Sequence, residues 1–378
     1  MKIMHLSRAA SQFTSFLIPV IEAQKKLGHH VSLCVANSPE AGQLRNAGYE
    51  VFMHNMQRSL NPVSIFRTTM QIKEVLREQQ IEVVIFHNNI AAGMGRIAAW
   101  LAKTQYIVNF CHGFSCMPVQ NPFLWWAQYW IEKILGRVTD AMLVMNDYDE
   151  NLCKSHNIIK NTDKIFRIPA VGVDLNRYSV ESSEDAKRKL AEELSIPENQ
   201  KIVLCVARLI PEKGVFVLLG AARKICAKRD DVCFLLAGEG PSMTKLKKSV
   251  ERNRIEDNFK LLGWRDDVSL LTKAADVFTL PTYYSEGLPV SILQAMACGK
   301  PVVATRYRGC EDSVVDYQTG FLVPVKQVDP LVDKISLLLD DKQLRMQMGQ
   351  AGRQRVEQYF ELDYCTKKIV DALEKAVN

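Results

Sequence analysis

The sequence predicts an α/β protein of two domains, each built on a parallel sheet with helices on both faces. Three observations carry this. Short apolar runs with the length of buried strands alternate with segments of helical period through both halves of the chain. The alternation pauses over a charged, proline-containing stretch at 181–200 and then restarts. The length of 378 residues accommodates two ordinary cores. At 47% hydrophobic and 24% charged residues the composition is that of a globular protein, with no repeat of solenoid period and no low-complexity tract.

Residues 2–7 read as the first strand, and 14–27 as an amphipathic helix stopped by Gly28. Strand-like runs follow at 31–35, 50–53, 83–86, 106–110, 141–145 and 165–169. Helical patterns fill the intervals at 40–47, 62–78, 91–102 and 122–137. The second domain resumes with strands at 202–207, 232–237, 259–262, 277–280 and 302–304 and helices at 215–228, 243–252 and 290–298. Helical stretches at 329–340, 342–359 and 362–377 close the chain. The expected division is a first domain over 1–178, a hinge over 179–200, a second domain over 201–357 and a last helix over 358–378.

The formal charge of +6 is uneven: residues 1–180 hold 18 Lys and Arg against 13 Asp and Glu, whereas 181–378 hold 30 against 29. A basic first half suits an anionic acceptor or membrane surface, and equally a solvated polar face. No nucleic-acid partner is expected. The ten cysteines contain no Cys-x-x-Cys pair, and several (Cys34, Cys205, Cys233) fall in apolar segments as small core residues. With no secretory signal at the start, this points to a reducing, cytoplasmic compartment. No apolar run approaches the roughly 18 residues a spanning helix needs, so the expectation is a soluble or peripheral protein.

Candidate chemistry sits at strand ends, where open parallel sheets bind ligands. Glu286 and Gly287 leave the strand at 277–280 and enter the helix at 290–298, beside amides at a helix N-terminus. A carboxylate there disfavours an adjacent phosphate and suits hydroxyls, which points toward a sugar. Arg208 and Lys213 follow the strand at 202–207, spaced so that both can neutralise one diphosphate; an exposed surface pair is the plain alternative. Gly238-Glu239-Gly240 follows the next strand, either a close backbone approach to a ligand or a tight turn. Gly263-Trp264 comes after the one beyond, with Trp264 also compatible with a core position.

In the first domain His112-Gly113-Phe114 follows the strand at 106–110. The stretch 122–137, with Asn121 and Pro122 as its start, gathers Trp125, Trp126, Tyr129, Trp130, Lys133 and Arg137. An anionic membrane surface and an ordinary core helix are equal readings of it. Asp147-Tyr148-Asp149 imitates a metal motif but opens a helix, so Asp147 with Glu150 reads as a capping box. No His, Cys and carboxylate cluster has metal-ligand spacing, so neither metal nor cofactor is expected.

The run Ser285-Glu286-Gly287-Leu288-Pro289 with Gln294-Ala295-Met296-Ala297-Cys298-Gly299-Lys300-Pro301 resembles the signature of the family-4 retaining glycosyltransferases. Residues 109–137 are most similar to the subgroup that extends undecaprenyl-diphosphate-linked oligosaccharides. The resemblance implies a GT-B fold: two Rossmann-like domains with parallel sheets facing across a cleft, and a last helix crossing back to the first. It implies a nucleotide-sugar donor, UDP-linked, a lipid-linked glycan acceptor, and a place on the inner face of the cytoplasmic membrane. It assigns Glu286 and His112 to the transferred sugar and Arg208 and Lys213 to the diphosphate. Gly238, Glu239, Gly240, Gly263, Trp264, Gly287, Leu288 and Pro289 would line the donor. Gln294 stands where the family has a ribose-binding glutamate and keeps a carbonyl acceptor without the charge. Arg8, Ser11, Gly113 and Phe114 fall on the acceptor side; the loop at 8–12 has no glycine where the family is glycine-rich, and Arg8 reads equally as a surface arginine. The alternatives are a nucleotide-sugar epimerase of similar fold, or an inactive nucleotide-sugar-binding protein.

Overall fold

The computed structural model describes residues 1–56, 61–116, 121–181, 183–197 and 199–377. The chain divides into two compact units: Met1–Gly172, Ser285–Leu288 and Asp363–Asn378 form the first, Val173–Tyr284 and Pro289–Leu362 the second.

The first unit contains β1 (Lys2–Ser7), β2 (His30–Ala36), β3 (Val51–His54), β4 (Val83–His87), β5 (Tyr106–Phe110), β6 (Ala141–Val144) and β7 (Ile165–Arg167). These form one parallel sheet in the order β3-β2-β1-β4-β5-β6-β7, so the winding reverses between β1 and β4. The register sets Ser7 opposite His87 at that reversal. Met4, Leu6, Val84 and Phe86 bury against Ile72, Leu76, Ala91 and Ala98 of the helices Pro62–Glu78 and Asn89–Ala102. Burial on both faces explains why these strands read as continuous apolar runs.

The first helix differs from its expected start. Phe13–Leu17 is a π-helical turn, and the α-helix proper runs Ile18–Lys26. Pro19 has no N–H to donate back along the helix, and the hydrogen-bond ladder loosens just ahead of it. The C-terminal helix Leu362–Val377 buries Cys365, Ile369, Val370 and Leu373. From Asp363 onward it belongs to the first unit, where Glu374 lies 3.0 Å from His29 Nε2.

The second unit contains β8 (Lys201–Val206), β9 (Val232–Ala237), β10 (Phe259–Gly263), β11 (Val277–Leu280), β12 (Val302–Thr305) and β13 (Gly320–Val323). Their order is β10-β9-β8-β11-β12-β13, again parallel, with the reversal between β8 and β11. The stretch expected as a hinge carries the helix Ser183–Leu194, which buries Ala186, Leu190 and Ala191 within this unit. Lys187 reaches Asp276 at 2.8 Å, and the same carboxylate accepts from the amide of Ile202 at the start of β8. The charges that suggested a linker form the solvent face of an amphipathic helix. Strand β13 and the helices Val268–Ala274 and Gly309–Ser313 were not expected; four, seven and five residues are too short to display a period. None of the ten cysteines is in a disulfide, and nine of them are buried.

Candidate functional site

In the second unit the loops after β8, β9 and β10 are tied together by their backbones. Leu209 donates to Glu239 O at 2.8 Å, Ser242 to Leu209 O at 3.0 Å and Gly238 to Gly263 O at 2.7 Å. At Gly238, φ is +135° and a Cβ would stand 2.0 Å from Ala207 O, so this approach requires glycine. Lys213 ends the 3-10 turn Pro211–Lys213, and Arg208 is exposed after β8. Both cations lie over one aromatic ring: the Arg208 guanidinium lies 5.3 Å and the Lys213 ammonium 5.2 Å from the centre of the Tyr284 ring. That ring is itself positioned across the β8/β11 reversal. Tyr283 donates its N–H to Glu212 O at 2.7 Å, Thr282 Oγ1 donates to the same oxygen at 3.2 Å, and Tyr284 N donates to Thr282 Oγ1 at 3.0 Å. Two fixed cations at a topological switch point make a receptor for a polyanion.

In the first unit the backbone of His112-Gly113 lies directly against that of Ser285–Gly287. Gly113 has φ +113°, and a Cβ on it would stand 2.5 Å from Ser285 O; a Cβ on Gly287 would stand 2.9 Å from the carbonyl carbon of His112. Ser285 Oγ donates to Phe114 O. Asn146 Nδ2 donates to Glu286 O at 3.1 Å and to Gly287 O at 2.8 Å. The main chain of Glu286 is thereby pinned beside His112 while its side chain stays half-exposed. Burial pushes the His112 imidazole down to about 4, so it is neutral at ordinary pH.

Asn146 also corrects the expected helix cap. The cap of Asp147–Ser155 is Asn146, whose Oδ1 accepts from Asp149 N at 2.8 Å, and not Asp147 with Glu150. Asp149 is fully buried and accepts from Asn146 Nδ2 at 2.8 Å, whereas Asp147 and Glu150 pair outward with Arg167 at 3.5 and 3.7 Å. Among the described residues no group of three or more His, Cys, Asp and Glu could hold a metal ion.

The model of the family described as "Glycosyltransferase Family 4" matches residues 16–177, and that of "Glycosyl transferases group 1" matches 186–355. The chain belongs to glycosyltransferase family 4. It is 26% identical over 343 residues to the UDP-Gal:alpha-D-GlcNAc-diphosphoundecaprenol alpha-1,3-galactosyltransferase of Escherichia coli, covering 90% of this chain and 87% of the relative. It is 27% identical over 369 residues to the N,N'-diacetylbacillosaminyl-diphospho-undecaprenol alpha-1,3-N-acetylgalactosaminyltransferase of Campylobacter jejuni, covering 96% and 95%. Anabaena HepE in complex with UDP-glucose superimposes with a TM-score of 0.83 at 21% identity, over 99% of this chain and all of that one. The fold is GT-B.

The glycosyltransferase places its expected site residues in two groups. His112, Gly113 and Phe114 lie with Glu286, Gly287 and Leu288 in the first unit. Arg208, Lys213, Gly238, Glu239, Gly240 and Gly263 gather on the tied loops of the second. Pro289 and Gln294 are in that unit too, as the N-cap and a half-buried position of the helix Val290–Ala297. Trp264 is 67% exposed, its indole N–H on Asp266 at 2.8 Å, which removes the core alternative. Arg8 and Ser11 sit on the loop after β1, half-exposed and exposed. In place of glycines this loop is held by Ser7, whose hydroxyl donates to Gln12 Oε1 at 2.8 Å and accepts from Asn88 Nδ2 at 2.9 Å.

The helix Pro122–Leu135 has an inward face and an exposed face. Trp125 and Tyr129 turn inward, stacked at 5.5 Å, while Phe123, Trp126, Trp130, Ile131 and Ile134 are exposed. Trp125 is thus a packing residue, and Lys133 donates to His156 O and Asn157 O at the end of the helix Asp147–Ser155. Arg137 is exposed. Three residues were missed by sequence reasoning: Tyr284, Asn146 and His87, whose Nδ1 lies 3.1 Å from His112 Nε2. An asparagine ahead of an acidic first turn was a usable signal for Asn146; Tyr284 and His87 had none.

Proposed function

We propose that this glycosyltransferase moves a hexose or N-acetylhexosamine from a UDP-sugar to a lipid-linked saccharide, with retention of configuration and without a metal. The observation that carries the reading is the pair of cations, Arg208 and Lys213, over the ring of Tyr284 at the reversal of the second sheet. As the bond from sugar C1 to the phosphate oxygen breaks, its electron pair passes to the diphosphate, and these two charges stabilise it there. The acceptor hydroxyl bonds to C1 from the same face, and its proton goes to the departing phosphate oxygen. No metal is needed where two fixed cations offset the charge. Glu286 and His112 would orient the sugar hydroxyls, and Gln294 would accept from the ribose.

The lipid-linked acceptor is supported by the two relatives, whose names place their acceptors on undecaprenyl diphosphate. Among the described residues no helix is long and apolar enough to cross a membrane. The exposed Phe123, Trp126 and Trp130 with Arg137 fit a peripheral seat on the inner face of the cytoplasmic membrane. The test is incubation of the protein with UDP-hexoses, UDP-N-acetylhexosamines and a polyprenyl-diphosphate-linked N-acetylhexosamine in excess EDTA. Mass spectrometry and the anomeric proton coupling read the product. An α-linked product formed in EDTA is expected; an inverted linkage, or activity that returns only with a divalent ion, contradicts the reading.

A further inference from the structure

Three histidines on adjacent strands of the first sheet join end to end. His5 on β1 places Nδ1 2.9 Å from Nε2 of His87 on β4, and His87 Nδ1 lies 3.1 Å from Nε2 of His112, just after β5. At the far end Gln24 Oε1, from the helix Ile18–Lys26, lies 2.7 Å from His5 Nε2. Gln24, His5 and His87 are fully buried.

A neutral imidazole carries one N–H and one lone pair, so the proton position at one contact dictates the next. An amide oxygen only accepts, so His5 holds its proton on Nε2 and accepts on Nδ1. His87 must then donate from Nε2 and accept on Nδ1. His112 in turn donates from Nε2, which leaves its Nδ1 bare. Apolar rings enclose the chain: Phe13 packs edge-on to His5 and His87 at 6.4 and 5.7 Å, and Phe110 stacks on His112 at 4.5 Å. Burial in these surroundings pushes His5 and His112 down to about 4 and His87 well below its ordinary value, so all three are neutral when the enzyme works.

We propose that Gln24, His5 and His87 are positioning residues that fix His112 as its Nε2–H tautomer, making Nδ1 a hydrogen-bond acceptor for a hydroxyl of the transferred sugar. This rests on the reading that His112 faces that sugar. An untethered imidazole would divide between two tautomers, only one of which accepts at Nδ1, and the competent fraction would fall accordingly.

The first measurement needs no turnover. Imidazole nitrogen NMR of the full-length protein labelled with ¹⁵N-histidine, assigned with single His→Gln variants, reads each tautomer near neutral pH. Neutral Nε2–H forms of His5, His87 and His112 are expected; a charged His112, or one protonated on Nδ1, overturns the proposal. The second compares two substitutions. In His87→Gln the amide can still donate to His5 and accept from His112, whereas His87→Phe keeps the ring volume and loses both bonds. His87→Phe should lower kcat about tenfold with little change in donor KM, and His87→Gln should stay within about threefold of wild type, the scale of one hydrogen bond. Equal losses in the two variants overturn the relay in favour of packing alone. If the tautomers are as expected but His112→Ala transfers sugar at the wild-type rate, the sugar contact is what fails.

Discussion

The two sheets reverse their winding at equivalent places and furnish them with opposite chemistry. At the β8/β11 reversal of the second unit, an exposed arginine and a half-buried lysine lie over the ring of Tyr284. At the β1/β4 reversal of the first, the groups are buried, neutral imidazoles joined through hydrogen bonds. Cations so placed suit a polyanion through Coulomb attraction. Buried imidazoles lose their charge to desolvation and act through direction, by which nitrogen bears the proton. The same topology therefore supplies charge in one unit and hydrogen-bond polarity in the other.

Substitutions on the charged side should have the largest effect. Arg208→Ala or Lys213→Ala is expected to lower kcat by about a hundredfold or more, the usual scale for losing a group that stabilises charge in the transition state. Near-normal turnover in both folded variants would take these cations out of the site. On the other side, Asn146→Ala leaves the carbonyls of Glu286 and Gly287 and the buried Asp149 short of donors. Urea unfolding should show a loss of about 2 kcal/mol, as for a broken buried network; an unchanged midpoint would mean that the segment 285–288 is held by other contacts.

Tyr284→Ala should reduce turnover about tenfold by releasing both cations, and Tyr284→Phe should leave it nearly intact because the ring face is what they use. Equal effects would assign the role to the phenol hydroxyl. The smallest effect is expected at Gln294. Gln294→Glu should tighten UDP binding by about two- to fivefold in calorimetry, since a charged acceptor strengthens hydrogen bonds from ribose hydroxyls. Gln294→Ala should weaken it. Equal affinity in all three proteins would place residue 294 away from the ribose.

Legibility in the sequence divides along the same line. The strand-end motifs of the second unit are contiguous, so Arg208, Lys213 and Gly238 were nominated from spacing and resemblance, as was Glu286 from the contiguous run at 285–289. His5 and His87 are separated by 82 positions and adjoin only because β1 and β4 pair across the reversal. No local pattern marks them, and a histidine in an apolar strand reads as core. Tyr284 directly precedes the run 285–289, and its place under both cations depends on a loop from β8 reaching it. The helix Ser183–Leu194 was read as a hinge because its charges outnumber the three residues it buries. In the helix Pro122–Leu135 the period identified the element but not which tryptophans face inward, because that depends on the neighbouring cluster of Met142, Val144 and Cys153.

The dependence of kcat on pH, with donor and acceptor both saturating, tests this division of roles most directly. His112, held near 4 by burial, is neutral well above that value and has no proton to gain or lose as the pH rises through neutrality. Burial likewise holds its neighbour His87 well below the ordinary histidine value. The account predicts a flat profile from about pH 6 to about pH 9, with His112→Ala lower but parallel, because the histidine acts as a neutral hydrogen-bonding group and not as a general base. An acidic limb near the ordinary histidine value of 6.5, present in the wild type and absent from His112→Ala, would contradict it.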